Sequence, residues 1–312
     1  MTDLYYKYSD YLKAKYKEKI YKIPINLPIT CPNRLDSSGC TFCAENGTGF
    51  EACPNTFRVE EQLAAGKPHI TKKFGAKKFI AYFQNYTNTF MPLNTFKEYI
   101  TAAAKDTEVV QISISTRPDC IREDYLSVLE EISSTYGCDI NIELGLQTIN
   151  YHTLAQLNRG HGLAEYVDAV LLIRKYAFSV CTHVILNLPG DEMLDVIETA
   201  KLVSALKTNV IKVHSLYIAK NTILCNAYEN GKIQICEKDT YLERVITFLE
   251  YLDPTIAVER LFSRIPEKDA AFSNWGIAWW KLLDETISIM ETNASYQGKR
   301  FDYLNGSALK KL

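Results

Sequence analysis

Short apolar runs rich in β-branched and aromatic residues recur along the chain. They are KIYKIPINL (19–27), KFIAYF (78–83), VVQISIS (109–115), DINIELGL (139–146), VCTHVILNL (180–188) and VIKVHSLYI (210–218). Each is too short for a helix and too continuous for a half-exposed strand, so each predicts a strand buried on both faces. Between them lie stretches with apolar positions at three- and four-residue spacing, such as YLSVLEEIS after Asp124, YVDAVLLIRKY after Glu165 and MLDVIETAKLVSAL after Glu192. That alternation predicts repeated βα units, in which right-handed helical crossovers join parallel strands. Six such units are too few for a closed eight-unit barrel. The expected fold is therefore an α/β partial (β/α)6 TIM-like barrel, with a doubly wound sheet as the competing architecture. A further strand candidate, TIAVERLF (255–262), follows the break at Asp253-Pro254. It opens a small C-terminal extension, so residues 1–254 are expected to form the barrel with its N-terminal helix, and 255–312 to pack on it.

In both architectures reactive groups sit at the carboxyl ends of strands. The segments there are CPNRLDSSGCTFC, QNYTNTF, TRPDC, ELGLQT, LPGDE and HSLYIAKNT, all polar and punctuated by Pro or Gly. They are the segments in which to look for chemistry.

Composition narrows the class. The chain has 312 residues, 47% hydrophobic and 23% charged, with a formal net charge of -2, which suits a large folded core and argues against coating nucleic acid through overall charge. No stretch reaches the roughly 18 uncharged apolar residues of a membrane span. A cytoplasmic protein without membrane contact is expected. Nine cysteines without a secretory pattern argue for reduced thiols. Cys120, Cys138, Cys181, Cys225 and Cys236 are scattered and read as small buried residues. Cys31, Cys40 and Cys43 instead form C-x8-C-x2-C, with Phe42 inside the last pair. Three thiolates can hold three irons of a four-iron, four-sulfur cluster and leave one iron open. They can equally join Cys53 around a structural zinc, and spacing alone does not choose.

In order along the chain stand CPNRLDSSGCTFC, AYFQNYTNTF, ISTRPDC, ELGLQTINYHTLAQLNRGH, HVILNLPGDE, IKVHSLYIAKNT, WGIAWWKL and YQGKRFDYL. In this combination the sequence resembles the radical S-adenosylmethionine (SAM) enzymes over essentially its whole length. The similarity is to their elongator-like branch in its short bacterial form without an acetyltransferase domain, the YhcC/YtqA type. The resemblance implies a [4Fe-4S] cluster on Cys31, Cys40 and Cys43, with Cys53 a bystander, and SAM chelating the open iron. It further implies one-electron cleavage of SAM to methionine and a 5'-deoxyadenosyl radical, with an electron donor such as flavodoxin or ferredoxin.

Residue roles follow from the same motifs. Phe42 would pack near the adenine, and Gln84 and Asn85 would meet the SAM amine, although the Gly-Gly-Glu found there in many relatives is absent. Glu143 and Gln147, flanking Gly145, match E-x-G-x-Q and would bind the ribose hydroxyls. Arg159 in NRGH would pair with the SAM carboxylate rather than form a surface salt bridge. Leu188 with Pro189 and Gly190 would shape the adenine pocket or simply turn the chain. Arg117, Asp119, His214 and Lys220 are candidates for the substrate side, Asp119 alternatively capping the next helix and His214 alternatively lying in the core.

The elongator-like branch is associated with transfer RNA, so the resemblance implies radical modification of a tRNA wobble uridine side chain; a small metabolite is the alternative substrate, and a zinc-stabilised binding protein the alternative class. Two lysine-rich stretches fit RNA contact: Lys13, Lys15, Lys17, Lys19 and Lys22 with Tyr11, Tyr16 and Tyr21, and Lys67, Lys72, Lys73, Lys77 and Lys78. Solvated charged faces are the plainer reading of both. Trp275, Trp279 and Trp280 are expected in the core of the extension.

Overall fold

A computed structural model describes residues 3–37, 39–44 and 52–311. Helix α1 (Tyr8–Tyr16) leads to strand β1 (Ile20–Ile25), the single turn α2 (Asn33–Asp36) and helix α3 (Val59–Phe74). Then strands and helices alternate: β2 (Lys78–Phe83), α4 (Leu93–Ala104), β3 (Val109–Thr116), α5 (Glu123–Tyr136) and β4 (Asp139–Gln147). Helices α6 (Tyr151–Gln156) and α7 (Leu163–Arg174) precede β5 (Ser179–Ile185), α8 (Met193–Ala205) and β6 (Val210–His214). The remainder comprises β7 (Ile218–Ala219), α9 (Ile223–Glu229), α10 (Lys238–Tyr251), β8 (Ala257–Arg260), β9 (Ala270–Phe272) and α11 (Trp279–Thr292).

The strands form a sheet in the order β1-β2-β3-β4-β5-β6-β8, and β7 pairs with β9 apart from it. Every pairing described within the large sheet is parallel. This is the partial-barrel class of α/β fold expected from the apolar rhythm. The run at 255–262 supplies a seventh strand: Val210 faces Ala257 and Ile211 faces Val258. No helix among the described residues is long and apolar enough to cross a membrane.

Two compact units divide the chain, one of residues 9–145 and 158–181, the other of residues 1–8, 146–157 and 182–312. In the first, β2 buries five consecutive residues, Phe79 to Phe83, because helices cover the sheet. Helix α5 turns Tyr125, Leu126, Leu129 and Ile132 inward at helical spacing. It stops at Gly137, whose φ of 68° is open to glycine at little cost and lets its N–H cap Ser133. Burying each Leu or Ile of that stripe is worth about 2 kcal/mol against leaving it in water.

In the second unit the core is built by Tyr241, Val245, Phe248 and Leu249 of α10 with Val196, Ala200 and Val203 of α8. Chain ends close around Gln297. Its backbone N–H donates to Leu4 and its side chain to the carbonyls of Asp253 and Ile256, while its Oε1 accepts from Tyr6 N–H. This explains the terminal YQGKRF segment as structural cement. The tryptophans depart from expectation, because the short C-terminal elements have too little apolar surface to cover all three. Trp280 is 50% exposed, Trp279 stacks on the Arg264 guanidinium at 3.9 Å, and only half-buried Trp275 anchors inward, donating Nε1–H to Cys236 O.

Candidate functional site

The cysteine segment leaves the carboxyl end of β1. Chain reversal through α2 and Gly39 (φ 87°) returns Cys40 and Cys43 toward Cys31. Cys40 is buried and the other two are half-buried. Each sulfur has its own guanidinium: Arg117 Nη1 lies 3.8 Å from Cys31 Sγ, Arg159 Nη1 3.5 Å from Cys40 Sγ, and Arg34 Nη2 3.6 Å from Cys43 Sγ. Asn33 Nδ2 adds a fourth donor, 3.5 Å from Cys40 Sγ. Burial pushes the Cys43 thiol up, with Arg34 opposing it. For neutral thiols three cations are an excess; for thiolates on a metal cluster they are a match in sign.

The NRGH segment holds this loop from outside the strand. Asn158 donates to Ser37 Oγ and Gly39 O, both at 2.9 Å, and Asn33 donates to Asn158 O. Gly160 has φ 73°, and a Cβ there would stand 2.3 Å from Asn33 Oδ1 and 2.8 Å from Arg117 Nη2. Arg159 is 8% exposed and donates Nη2 to Gly145 O, while its Nε is buried without a partner. It is therefore no surface salt bridge. Burial, reinforced by Arg159, pulls His161 down to about 4, so that ring is neutral.

Arg117 is nearly fully buried and forks onto both oxygens of Asp119, at 2.8 and 2.5 Å, as well as reaching Gly160 O. Burial works against its charge, but the Asp119 bond outweighs that and holds its pKa above the usual value. Asp119 does not cap the following helix, because Arg122 occupies that position and Asp119 sits in the 3-10 turn Pro118–Cys120. Burial, reinforced by Asp119, also pushes the Cys120 thiol up to about 12, leaving it inert.

On the neighbouring strand ends, Asn85 is buried; its Nδ2 donates to Asn26 Oδ1 at 2.7 Å, and its own Oδ1 has no partner. Gln84 beside it is half-buried and its N–H bonds to Ile25 O. Phe42 is half-buried. Glu143 is 1% exposed and salt-bridged to Lys22 Nζ at 2.7 Å, with Lys22 also 4.6 Å from the Tyr82 ring. This changes the reading of the first lysine stretch. Lys22 faces inward, and Lys15 pairs with Asp139 as Lys67 does with Asp106 and Glu108.

In the other unit, Gln147 ends β4 with φ 73°. Leu188 is 2% exposed at the start of a turn closed by Asp191 N–H on its carbonyl, with Gly190 at φ 95°. Arg244 donates to Leu186 O and Asp191 O, and a cavity of about 310 Å³ opens between Leu188, Gly190, Cys236 and Arg244. Burial pushes the Asp191 carboxyl up to about 6 despite its bond from Thr153. His214 is not a lone core residue: it meets His183, Ser263 and Arg260. Lys220 is exposed and bonds to Lys268 O. Arg34, His183 and Arg260 escaped sequence reasoning. Arg34 carried a signal, lying within the cysteine segment; the other two are isolated in apolar runs and carried none.

Comparison with known proteins gives the family. Residues 25–203 match the radical SAM superfamily and 208–292 the radical SAM C-terminal domain. The chain belongs to the radical SAM superfamily, whose members bind a [4Fe-4S] cluster and SAM. Within it, the chain is 35% identical over 301 residues to the uncharacterized protein MJ0486 of Methanocaldococcus jannaschii, covering 96% of this chain and 92% of that one. To YtqA of Bacillus subtilis it is 34% identical over 304 residues, covering 96% and 94%. A tRNA uridine(34) acetyltransferase of M. jannaschii is 23% identical over 165 residues, 50% of this chain and 29% of that protein. Among solved structures, Elp3 of Methanocaldococcus infernus superposes with a TM-score of 0.69 at 16% identity, covering 89% of this chain and 64% of that one.

Proposed function

We propose that Cys31, Cys40 and Cys43 hold the [4Fe-4S] cluster of a radical SAM enzyme that modifies the side chain of a tRNA wobble uridine. The observation that carries the first half is the guanidinium beside each of the three sulfurs. When bound, the cluster and SAM supply a 5'-deoxyadenosyl radical, the hydrogen-abstracting agent of this chemistry.

The protein's own groups bind and orient. Arg159 spends one nitrogen on Gly145 O and one on Cys40, and its unpartnered Nε is the donor left for the SAM carboxylate. Asn85 Oδ1, buried without a donor, accepts from the SAM amine, with Gln84 beside it. Glu143, salt-bridged to Lys22, accepts from the ribose hydroxyls, and Phe42 packs on the adenine. Arg117 acts on Cys31 rather than on substrate, and Asp119 is the counter-ion that fixes it.

The RNA half of the reading rests on the half-length similarity to a tRNA uridine(34) acetyltransferase and on charge. Lys13, Lys17, Lys19, Lys72, Lys73 and Lys77 are exposed. The two stretches meet where Tyr21 stacks on Phe74, with ring centroids 4.3 Å apart, near the amino end of β1. That is the rim opposite the cysteines, suited to holding an RNA backbone rather than the reacting base. The test is anaerobic incubation of the reconstituted, reduced protein with SAM and tRNA lacking its wobble modification, followed by nucleoside mass spectrometry. A new wobble nucleoside formed with 5'-deoxyadenosine is expected. Unchanged tRNA alongside rapid SAM cleavage on small metabolites would overturn the RNA substrate while keeping the radical chemistry.

A further inference from the structure

Each cysteine of the triplet has a guanidinium beside it, but the three guanidiniums are not equivalent. Arg117 is neutralised where it stands, with both oxygens of Asp119 within 2.8 Å of its nitrogens. Arg159 bonds to Gly145 O and Cys40 Sγ, and the SAM carboxylate is the anion proposed for it. Arg34 has neither counter-ion.

Arg34 lies in α2, between the first two cysteines, and is half-buried. Its Nη2 stands 2.6 Å from Ala44 O, 3.3 Å from Cys43 O and 3.6 Å from Cys43 Sγ, and its guanidinium lies 5.3 Å from the centre of the Tyr86 ring. These are carbonyls, a sulfur and a ring face, and no carboxylate among the described residues pairs with it. The loop is shaped around the stem as well as the head. A Cβ on Gly39 would come within 3.2 Å of Arg34 Cγ. Tyr86 sits at φ 56°, a left-handed conformation that a tyrosine keeps only where its surroundings impose it.

A neutral amide would satisfy the two carbonyls; what a guanidinium adds is charge. A cysteine-held cluster becomes more negative when it takes up an electron, and net charge and donors at its sulfurs help to set its reduction potential. Asp119 offsets the charge of Arg117, and the SAM carboxylate would offset that of Arg159. The charge of Arg34 reaches Cys43 unopposed.

We propose, on the reading that Cys31, Cys40 and Cys43 hold the cluster, that Arg34 is a positioning residue acting through Cys43, whose charge raises the reduction potential of the cluster. It thereby eases the one-electron reduction on which SAM cleavage depends. The electron comes from a low-potential donor protein; no bond forms or breaks at Arg34, which keeps its proton throughout.

The test is redox titration of the anaerobically reconstituted full chain without SAM, following the electron-spin signal of the reduced cluster, with iron and sulfide measured in each sample. Arg34→Gln should hold about four irons and favour reduction about tenfold less, a potential lower by about 59 mV for one electron. Arg34→Lys, which keeps the charge, should lie nearer the unaltered protein than Arg34→Gln does. Arg122→Gln removes the same charge from an exposed site paired with Asp124 and should leave the potential where it is. One common potential in all four proteins, an equal drop in Arg122→Gln, or Arg34→Lys lowered as far as Arg34→Gln would each overturn the role of Arg34 while leaving the cluster reading intact. No iron in the unaltered protein would overturn that reading, and this proposal with it. Should Arg34→Gln lose its iron, Arg34→Met takes its place, and loss of iron there too overturns the proposal by making Arg34 a tie that holds the loop.

Discussion

The two compact units each bury a titratable group whose pKa burial moves, and they move it in opposite directions. In the cysteine-bearing unit His161 is held neutral, its pKa pulled to about 4 by burial beside Arg159. In the other unit burial pushes the Asp191 carboxyl up to about 6. The first unit has gathered cations around three sulfurs, and an added positive charge is unwelcome there. The second has gathered backbone carbonyls and an acid around a turn, with Arg244 spent on those carbonyls. The protein thus carries the imprint of an anionic guest in the first unit, and of an apolar, shape-defined loop in the second.

The sharpest way to break this contrast is to remove a sulfur. Cys40→Ala should abolish cluster retention after anaerobic reconstitution, from about four irons to background, and reduce SAM cleavage by more than a hundredfold. Cys120→Ala should leave iron content unchanged, because its thiol is pushed up to about 12 and lies outside the triplet. Iron, sulfide and electron-spin measurements check both. Equal iron in Cys40→Ala and the unaltered protein would refute the site.

Stability against pH is the next test. An unfolded histidine binds its proton below pH 6.5, whereas His161 in the folded protein does not until about 4. In that window the unfolded state holds more protons, so the His161 contribution rises with pH, by about 3 kcal/mol in all. For Asp191 the folded state holds the proton between 3.8 and about 6, so its contribution falls as pH rises, by about the same amount. The two nearly cancel in the unaltered chain. Asp191→Asn should uncover a rise in stability from pH 4 to 6.5, and His161→Gln a fall from pH 4 to 6, in urea titrations at each pH. Identical slopes in the two variants would show that neither group is perturbed as described.

Smaller effects come from two glycines. Gly160→Ala places a Cβ against Asn33 and Arg117, and Gly298→Ala places one 2.9 Å from Pro254 Cδ, both at positive φ. Each should cost about 2 kcal/mol, seen as a lower denaturation midpoint. Only Gly160→Ala should also lower iron retention, since only it displaces partners of the cysteines. The smallest effect on stability is expected from Lys72→Gln, Lys73→Gln and Lys77→Gln together, within about 0.5 kcal/mol. RNA affinity should nevertheless weaken several-fold and its salt dependence flatten. An unchanged salt slope would remove these lysines from the RNA surface.

Much of this architecture is legible in the amino-acid sequence. The runs at 78–83, 109–115 and 139–146 became β2, β3 and β4 within a residue, because burial on both faces leaves an unbroken apolar signal. The run at 210–218 did not survive as one strand: it ends at His214 and resumes as the two residues of β7, a break that an apolar pattern does not mark. Cys31, Cys40 and Cys43 were legible because their spacing is local. Arg34 and the pairing of Lys22 with Glu143 were not, since a lysine that turns inward looks in sequence like its solvated neighbours.

The βα rhythm, the cysteine triplet and, through motifs in order, the family can all be read along the chain. These are properties of local periodicity and spacing, written in consecutive residues. Which charges face which is set by the folded chain. Partners such as Arg117 and Cys31, 86 residues apart, or Arg260 and His214, 46 apart, meet because parallel strands bring their carboxyl ends to one rim. A charged side chain has no sequence signature for its partner. Its energy is set by distance and burial, and both exist only once the chain has folded.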